Sequence, residues 1–393
     1  MSDNITDIDV SSLQPAMEEP LMTGYEQPVF RLEEMIINMG PQHPSTHGVL
    51  RLVVHLDGEL VINVDPVIGY LHRGMEKLAE NRTYLQFLSM ASRLDYLSGI
   101  FMEWPYVMCI EKLMEIEVPP RAEYLRVIVG ELNRIISHHM SYGDFLLNLG
   151  AGTPFFWAFR DRETVMDMLE MLTGQRMMYN YMRIGGVRYD MTDGFEEACR
   201  RFIKDFPPKI DEYEKLVTDN EIFLSRTLGM GAITQEEALD YGLSGPNIRA
   251  TGIPWDLRRQ QHYSVYDDFD FEIPLGRNGD SFDRYKCRIE EMRQSLRIIE
   301  QALDGIPGGP VNVKMPPVLR PPAGEVFCAV ESPRGEWADY LVSDGGLRPY
   351  RLKMRDPSFV AISALPRILP GHKIADVIGI GGSLDLIMGG VDR

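Results

Sequence analysis

Cysteine is scarce in this 393-residue chain, which has four cysteines far apart from one another: Cys109, Cys199, Cys287 and Cys328. They form no CxxC pair and no closely spaced set that would predict a disulfide framework. This scarcity is typical of a protein from a reducing compartment. Because an iron–sulfur cluster is held by several thiolates, we do not expect this chain to bind a cluster by itself.

Long hydrophobic runs and an excess of positive charge are also missing. No window approaches the roughly 20 consecutive apolar residues of a membrane-spanning helix, and the acidic start MSDNITDIDV is unlike a signal peptide. Lys and Arg total 40 against 58 Asp and Glu, for a formal net charge of -18. Because such a surface repels polyanions, we expect no nucleic-acid partner. Because no membrane-spanning run is present, we expect any membrane contact to pass through other proteins.

Motifs for nucleotide binding and nucleophilic catalysis are absent as well. The string IGIGG near the C-terminus lacks GxGxxG spacing and opens no plausible βαβ unit, so we do not expect NAD to bind to this chain. Neither GxxxxGK[ST] nor GxSxG occurs. The chain is nevertheless 44% hydrophobic, which is enough for a large core.

Apolar patterning divides the chain into four predicted parts. Residues 1–33 are acidic and weakly patterned, which predicts an extended N-terminal arm. Residues 34–70 predict a small β domain, because GVLRLVVHLDGELVINV alternates apolar positions and carries Asp57-Gly58 as a two-residue hairpin turn. Residues 71–305 show helical periodicity, and residues 306–393 return to short β runs such as GEVFCAV, EWADYLVS and PYRLKM.

Three helices stand out in the central part. Apolar residues recur every three or four positions in RAEYLRVIVGELNRIISHHMSYGDFLLNLG, which predicts a long core helix. DRETVMDMLEMLTG, closed by Gly174, predicts a second, and SFDRYKCRIEEMRQSLRIIEQALDG, capped by Ser281 and closed by Gly305, predicts a third. The expected fold class is therefore α+β, with a central helical bundle and small β regions at both ends.

The loop GPQHPSTHG is the first candidate site. His43 and His47 lie four residues apart, but the prolines around them favour a loop over a helix. With Gly40 and Gly48 at its ends, it is equally consistent with a binding loop and with a turn whose histidines cap backbone groups. A metallohydrolase that uses both histidines and a carboxylate remains one alternative, and it would hold zinc.

Two other histidine groups are weaker candidates. Adjacent residues on a helix face different directions, so the pair His138-His139 cannot chelate one ion, and we expect His139 to be buried and hydrogen-bonded. In LHRGMEKLAENR, His72 and Glu76 share a helical face without the second histidine of HExxH. There the expectation is an ion-pair network of Glu76 with two arginines, Arg73 and Arg82.

Nine blocks, in order from about residue 34 to the end, resemble the D-subunit family of respiratory complex I, the quinone-site subunit of NADH:quinone oxidoreductase, called the 49-kDa subunit in mitochondria. The blocks are INMGPQHPSTHGVLRL, IGYLHRGMEKLAENRTYLQ, SRLDYLSG, GTPFFWAFRDRE, TGQRMMYNYMRIGGV, PLGRNGDSFDRY, PRGEWADYLVSDGG, PYRLKMRDPSFV and SLDLIMGGVDR. The family is similar in turn to the large subunit of NiFe hydrogenases, which shares an RGxE element, so the resemblance implies that fold.

The hydrogenase kinship bears on metals. In hydrogenases an RxCxxC and a DPCxxC motif hold nickel, whereas the corresponding stretches here are RLDYLS at 93–98 and DLIMGG at 385–390. All four thiolates are missing, so the resemblance implies no metal and a vacated cavity that is reused for a quinone headgroup.

The resemblance also implies roles for individual residues. His47 and Tyr96 match the residues that hydrogen-bond the quinone carbonyls, which makes them the catalytic candidates, and Asp95 joins them in the quinone site. The expected supporting residues are His43, Gly40, Gly48, Arg93 and Asn148. Family members commonly carry Asp at the position of Asn148. Because an amide cannot offset the charge of an imidazolium, His47 should be less easily protonated here than in those relatives.

The partners are implied in the same way. Electrons would come from a [4Fe–4S] cluster on a neighbouring B subunit, and the C subunit, the ferredoxin-like I subunit and the quinone-channel membrane H subunit would be further neighbours. The chain would be a peripheral subunit on the cytoplasmic side of the energy-transducing membrane, in a proton-translocating complex fed by NADH or ferredoxin. A purely structural scaffold is the second alternative; there, changes at His47 and Tyr96 would affect assembly rather than turnover.

Overall fold

A computed structural model describes residues 34–42 and 48–393. The predictions for the N-terminal arm at 1–33 and for His43 and His47 therefore lie outside the described residues. The two glycines that bracket the histidine loop are described, and both have positive φ, 84° at Gly40 and 100° at Gly48. Backbone in this region favours glycine over residues with a Cβ.

The N-terminal sheet has three antiparallel strands in the order β1-β2-β3: β1 Met35–Met39, β2 Arg51–Asp57 and β3 Leu60–Val67. Alternate residues of β2 are buried, as the sequence predicts. The predicted turn is wrong by one residue. Asp57 still pairs with Leu60, so the two turn residues are Gly58 and Glu59. Gly58 has φ 61°, the left-handed conformation that the first position of such a turn requires.

The remaining elements lie between residues 75 and 392. The helices are α1 Met75–Glu80, α2 Tyr84–Ala91, α3 Gly99–Leu113, α4 Pro120–Asn148, α5 Gly152–Thr173, α6 Phe195–Asp205, α7 Pro207–Val217, α8 Glu221–Thr227, α9 Gln235–Asp240, α10 Pro246–Arg249, α11 Leu257–Gln260, α12 Ser281–Gly305, α13 Pro357–Ser363, α14 Leu365–Ile368, α15 Ile374–Ser383 and α16 Met388–Asp392. The strands are β4 Met182–Arg183, β5 Gly186–Val187, β6 Gly324–Ser332, β7 Gly335–Ser343 and β8 Arg351–Arg355.

The three long helices predicted from periodicity are present, and α4 packs between α5 and α12. Their ends differ in detail. Helix α5 begins at Gly152, well before the predicted acidic start, and Gly174 ends it with φ 75°. Helix α12 is capped by Asp280 rather than by Ser281, because Asp280 has extended backbone and its carboxylate accepts the N–H of Asp283. Ser281 is instead the first helical residue.

Two apolar cores organise the fold. The larger core joins the long helices to the C-terminal sheet, whose antiparallel order β6-β7-β8 follows the three β runs predicted from the sequence. The smaller core joins the N-terminal sheet to helices α13 to α16. The result is the predicted α+β fold. Because α16 lies at the C-terminus, this packing brings the last residues of the chain back beside the turn between α2 and α3.

Candidate functional site

The turn between α2 and α3 is built around Asp95. Its buried carboxylate accepts the backbone N–H groups of Leu97 at 3.1 Å and Ser98 at 3.2 Å, and also the Ser98 hydroxyl. The apolar neighbours Leu94 and Leu97 are buried, whereas Tyr96 between them remains 38% exposed. This turn, which we call the Asp95 turn (residues 93–98), therefore presents Tyr96 outward on a fixed base.

Tyr96 is a neutral donor at ordinary pH. Partial burial raises the pKa of its phenol, and the neighbouring Asp95 carboxylate raises it further. Among the residues that the structure describes, nothing forms a hydrogen bond with the Tyr96 hydroxyl, which remains available to a ligand. A protonated phenol with a free O–H can donate a hydrogen bond to a carbonyl oxygen.

Arg334 connects residues 93–98 to residues 385–390, the two stretches whose resemblance to hydrogenase metal motifs is described above. It lies in the two-residue loop between β6 and β7 and is 2% exposed. Its Nη1 donates to Asp95 Oδ2 at 2.6 Å and to Ser137 Oγ at 3.0 Å, and its Nη2 donates to Asp385 Oδ1 at 3.2 Å. We call this cluster the Arg334 junction. A guanidinium cation is thus held between two carboxylates at the point where these two stretches meet.

The C-terminal glycines allow a close approach to this junction. A Cβ on Gly389 would lie 2.5 Å from the carbonyl oxygen of Leu94, and one on Gly390 would lie 2.9 Å from Cγ of Asp356. Arg73 Nη2 links the Asp95 turn to the C-terminal stretch, since it donates to the carbonyl oxygens of Arg93 and Gly389. The Asp95 turn and the C-terminal stretch are thus in direct backbone contact.

The ion-pair network predicted around Glu76 has different members. Its carboxylate bonds to Arg351 at 2.9 Å and to Lys353 at 3.1 Å, both on β8, rather than to Arg73. Arg82 forms no ion pair within residues 34–42 and 48–393. His72 does not share a helical face with Glu76, because α1 begins only at Met75. Its Nδ1 instead lies 2.7 Å from the carbonyl oxygen of Asp392.

Asn148 and Arg93, two of the predicted supporting residues, each have a defined hydrogen-bond partner. Asn148 Nδ2 donates to Asp144 Oδ2 at 3.0 Å, so a carboxylate is present one helical turn before the amide. Asp144 also contributes to the raised pKa of Tyr96, which puts this end of α4 within electrostatic reach of the phenol. The side chain of Arg93 turns back to α2 and donates to the carbonyl oxygen of Ser89.

Asp356 is a site residue that the sequence did not reveal. It caps α13, accepting the N–H groups of Ser358 and Phe359, and burial raises its pKa to about 7. Its sequence context, Asp before Pro, is typical of a helix start and gives no sign of burial beside a site. Arg334 was missed too, because nothing in the string SPRGE indicates a buried cation.

The adjacent histidines of α4 differ from the prediction. Both are buried, but His139 forms no hydrogen bond with the described residues and packs edge-on against Phe206 and Tyr213. Burial lowers its pKa to about 3. The hydrogen-bonded residue is His138, whose Nε2 lies 2.8 Å from Glu291 Oε2. Sequence periodicity could not distinguish the two, because the partner lies 153 residues away.

Metal clusters and membrane spans are both absent from the described ranges. No three metal-binding side chains come together within residues 34–42 and 48–393. No helix in the same ranges is long and apolar enough to cross a membrane.

Comparisons with known proteins agree on one family. A family model described as "Respiratory-chain NADH dehydrogenase, 49 Kd subunit" matches residues 148–320 and 317–393. The D subunit of the NADH-quinone oxidoreductase of Desulforamulus reducens is 53% identical over 362 residues, 92% of this chain and 99% of that one. The D subunit of the Geobacillus thermodenitrificans enzyme is 51% identical over 93% of this chain and 100% of its own. The H subunit of the NAD(P)H-quinone oxidoreductase of Thermosynechococcus vestitus is 50% identical over 92% of this chain and 98% of its own.

Proposed function

The chain belongs to the D-subunit family of NADH-quinone oxidoreductases, and from this premise we propose that it binds the quinone headgroup in a proton-translocating complex of that kind. The observation that carries the proposal is the position of Tyr96. Its phenol is partly exposed, protonated and free of partners among the described residues, and the Asp95 turn fixes it beside the Arg334 junction.

The chemistry of quinone reduction suits this arrangement. Two-electron reduction leaves negative charge on both quinone oxygens, and a fixed hydrogen-bond donor stabilises charge that develops there. Tyr96 supplies one such donor. We propose His47, in the loop that follows β1, as the donor to the second oxygen, since an imidazole N–H can donate a hydrogen bond or pass on a proton.

Charges of both signs surround the Tyr96 phenol. The Arg334 guanidinium and Arg73 act to lower the pKa of Tyr96, whereas burial, Asp95 and Asp144 raise it, so the phenol stays protonated. Asp356, with its pKa of about 7, changes protonation state within the working pH range. The proposed site therefore combines a neutral phenol donor with a carboxyl group that can hold or release a proton.

The electrons would come from elsewhere. We propose a [4Fe–4S] cluster of the neighbouring B subunit as the donor to the quinone, with the C subunit, the I subunit and the membrane H subunit as further neighbours. In this arrangement the membrane H subunit guides the quinone tail from the membrane, and the chain is a peripheral subunit on the cytoplasmic side. NADH and ferredoxin both remain candidates for the primary electron donor.

Photolabelling tests the proposal. Membranes that contain the assembled complex are illuminated with a quinone that carries a photoreactive group on its ring, and the labelled peptides are sequenced. The expected labels fall on residues 40–48 or 89–98 and disappear with excess unlabelled quinone. A photoreactive isoprenoid tail without the ring is the matched control and should not label these peptides. Ring labelling confined to other subunits would contradict the proposal.

A further inference from the structure

Two buried polar side chains lie where α4 packs against α12. His138 on α4 is fully buried, and Arg288 on α12 is 4% exposed. Nδ1 of His138, and both Nε and Nη2 of Arg288, have no hydrogen-bond partner among the described residues. Buried polar groups without a partner are uncommon in folded proteins, because each one costs free energy. These nitrogen atoms therefore need a partner that the side chains around them do not supply.

The other bonds of the two side chains hold them in place. Nε2 of His138 lies 2.8 Å from Oε2 of Glu291, and Arg249 donates to the other oxygen of that carboxylate at 2.6 Å. Nη1 of Arg288 donates to the backbone carbonyl oxygen of Ser383 at 2.7 Å. Each side chain is thus anchored through one nitrogen atom, and neither can turn towards another partner without losing that bond.

The two groups have opposite hydrogen-bonding character. Burial acts to raise the pKa of Glu291, but Arg249 holds it well below its usual range, so Glu291 is a carboxylate and only accepts. The Nε2 atom of His138 that faces it therefore carries the proton. Burial also lowers the pKa of His138, which keeps the ring neutral and leaves Nδ1 as an acceptor. The guanidinium of Arg288 can only donate.

Both side chains line one small cavity. Ser141 and a set of aromatic and aliphatic side chains form the rest of its wall, and all eight lining residues are at least nine-tenths buried. The space open to the centre of a water molecule is about 10 Å³. This is about what one water molecule requires, and it is too little for a larger ligand.

Water suits this cavity better than an ion does. A cation would lie against the guanidinium of Arg288, and an anion would face the lone pair of His138 Nδ1. A water molecule can accept from one group and donate to the other, and buried waters typically make two to four such hydrogen bonds. We propose that the cavity binds one water molecule, which accepts a hydrogen bond from Arg288 and donates one to Nδ1 of His138.

This water joins the buried ion pairs of the helical bundle to the Arg334 junction. On one side, His138 pairs with Glu291. On the other, Nε of Arg288 lies 4.0 Å from Oδ2 of Asp385, and the second oxygen of Asp385 accepts a hydrogen bond from Arg334. The water therefore holds the guanidinium of Arg288 beside the C-terminal end of the junction.

A cryo-EM map of the assembled complex tests the proposal, at a resolution that shows ordered water in other buried parts of the chain. We expect an isolated peak at roughly 2.7–3.2 Å from both His138 Nδ1 and a guanidinium nitrogen of Arg288. A map that shows other buried waters but no peak here would overturn the proposal. A direct hydrogen bond between Arg288 and His138 would overturn it too.

Substitutions of Ser141 provide a second test. Ser141→Val places two methyl groups where serine has one hydroxyl, in a cavity with room for about one water, so the peak should disappear. The full chain should then unfold at a lower urea concentration, because His138 and Arg288 lose their shared partner. Ser141→Ala is the matched control, since it keeps the space and both assigned partners. Its peak and its urea midpoint should stay close to those of the wild type.

A second serine separates this effect from helix propensity. Ser225 is exposed on α8, so the difference in urea midpoint between Ser225→Val and Ser225→Ala measures the propensity term alone. The difference between the two Ser141 variants should be clearly larger. An equal difference at the two positions would overturn the proposal, and so would a peak that survives in Ser141→Val. If Ser141→Val does not fold, the wild-type map still decides.

Discussion

Arg334 donates a hydrogen bond of 2.6 Å to the carboxylate of Asp95, the residue directly before Tyr96. The two residues are 239 positions apart in sequence. Because the same guanidinium also bonds to Asp385, a single buried side chain fixes the base of the Asp95 turn to the C-terminal stretch. The proposed quinone donor therefore depends on a cation from the opposite end of the chain.

Substitution of Arg334 should disturb quinone reduction before it disturbs upstream electron transfer. Arg334→Lys keeps the charge but cannot bridge both carboxylates, so we expect normal complex content and about 10-fold slower quinone turnover. Arg334→Met leaves buried carboxylates uncompensated, at a cost of roughly 3–5 kcal/mol, and should lower the complex content. Both turnover and subunit content would be measured in membranes.

Arg355→Lys is the control for Arg334→Lys. Arg355 lies on β8 and bonds to the carbonyl oxygen of Gly242 rather than to the Asp95 turn. It should leave both activities unchanged. Wild-type quinone turnover in Arg334→Lys would mean that the bridge to Asp385 is not needed to position Tyr96.

Asn148→Asp tests the electrostatic environment proposed for His47. A new carboxylate should raise the pKa of a nearby imidazole, because it stabilises the protonated form. The pH at which quinone turnover falls through deprotonation of His47 should therefore move upward by about one unit. Asn63→Asp adds the same charge on β3, where Asn63 likewise donates to a carboxylate, and should not move the profile. An unchanged profile in Asn148→Asp would separate Asn148 from His47.

His139 should make the chain sensitive to acid. Its pKa is about 3 in the folded state and about 6.5 in an unfolded chain, so only the unfolded chain binds the proton between these values. The free energy of unfolding should therefore fall as the pH drops below about 6.5, by about 1.4 kcal/mol per unit from this group. In His139→Phe, the free energy of unfolding should fall less steeply with decreasing pH between pH 6 and 4, by the contribution of one bound proton. Urea unfolding of the full chain measures this.

The control for this prediction is His262→Gln, since His262 is exposed and paired with Asp267. Removal of this surface histidine should leave most of the acid dependence in place. If His139→Phe loses stability with falling pH as steeply as the wild type, the acid sensitivity must come from other groups.

The sequence predicted what depends on local pattern. Burial within a single element leaves a local pattern that can be recognised without a structure. Examples are the alternation in β2, the helical period of α4 and the three C-terminal β runs. The hairpin turn and the cap of α12 were misplaced by one residue, because neighbouring residues of similar propensity compete for each position. The Arg334 junction has no local signature. It exists only because three distant segments meet. The proposed role of Tyr96 in quinone binding came from family resemblance, not from residue spacing.

Tyr96→Phe tests the central claim most directly. Donor-to-quinone turnover and donor-to-artificial-acceptor turnover would be measured side by side in membranes with normal complex content. Tyr350→Phe is the matched control, since Tyr350 is 68% exposed on the surface. Tyr96→Phe removes one well-placed hydrogen-bond donor, which should cost roughly 1.4 kcal/mol or more of transition-state stabilisation. We therefore expect quinone turnover at least about 10-fold lower, with artificial-acceptor turnover intact. Wild-type quinone turnover would contradict the account, and a loss of complex content without a change in turnover per complex would favour the scaffold alternative.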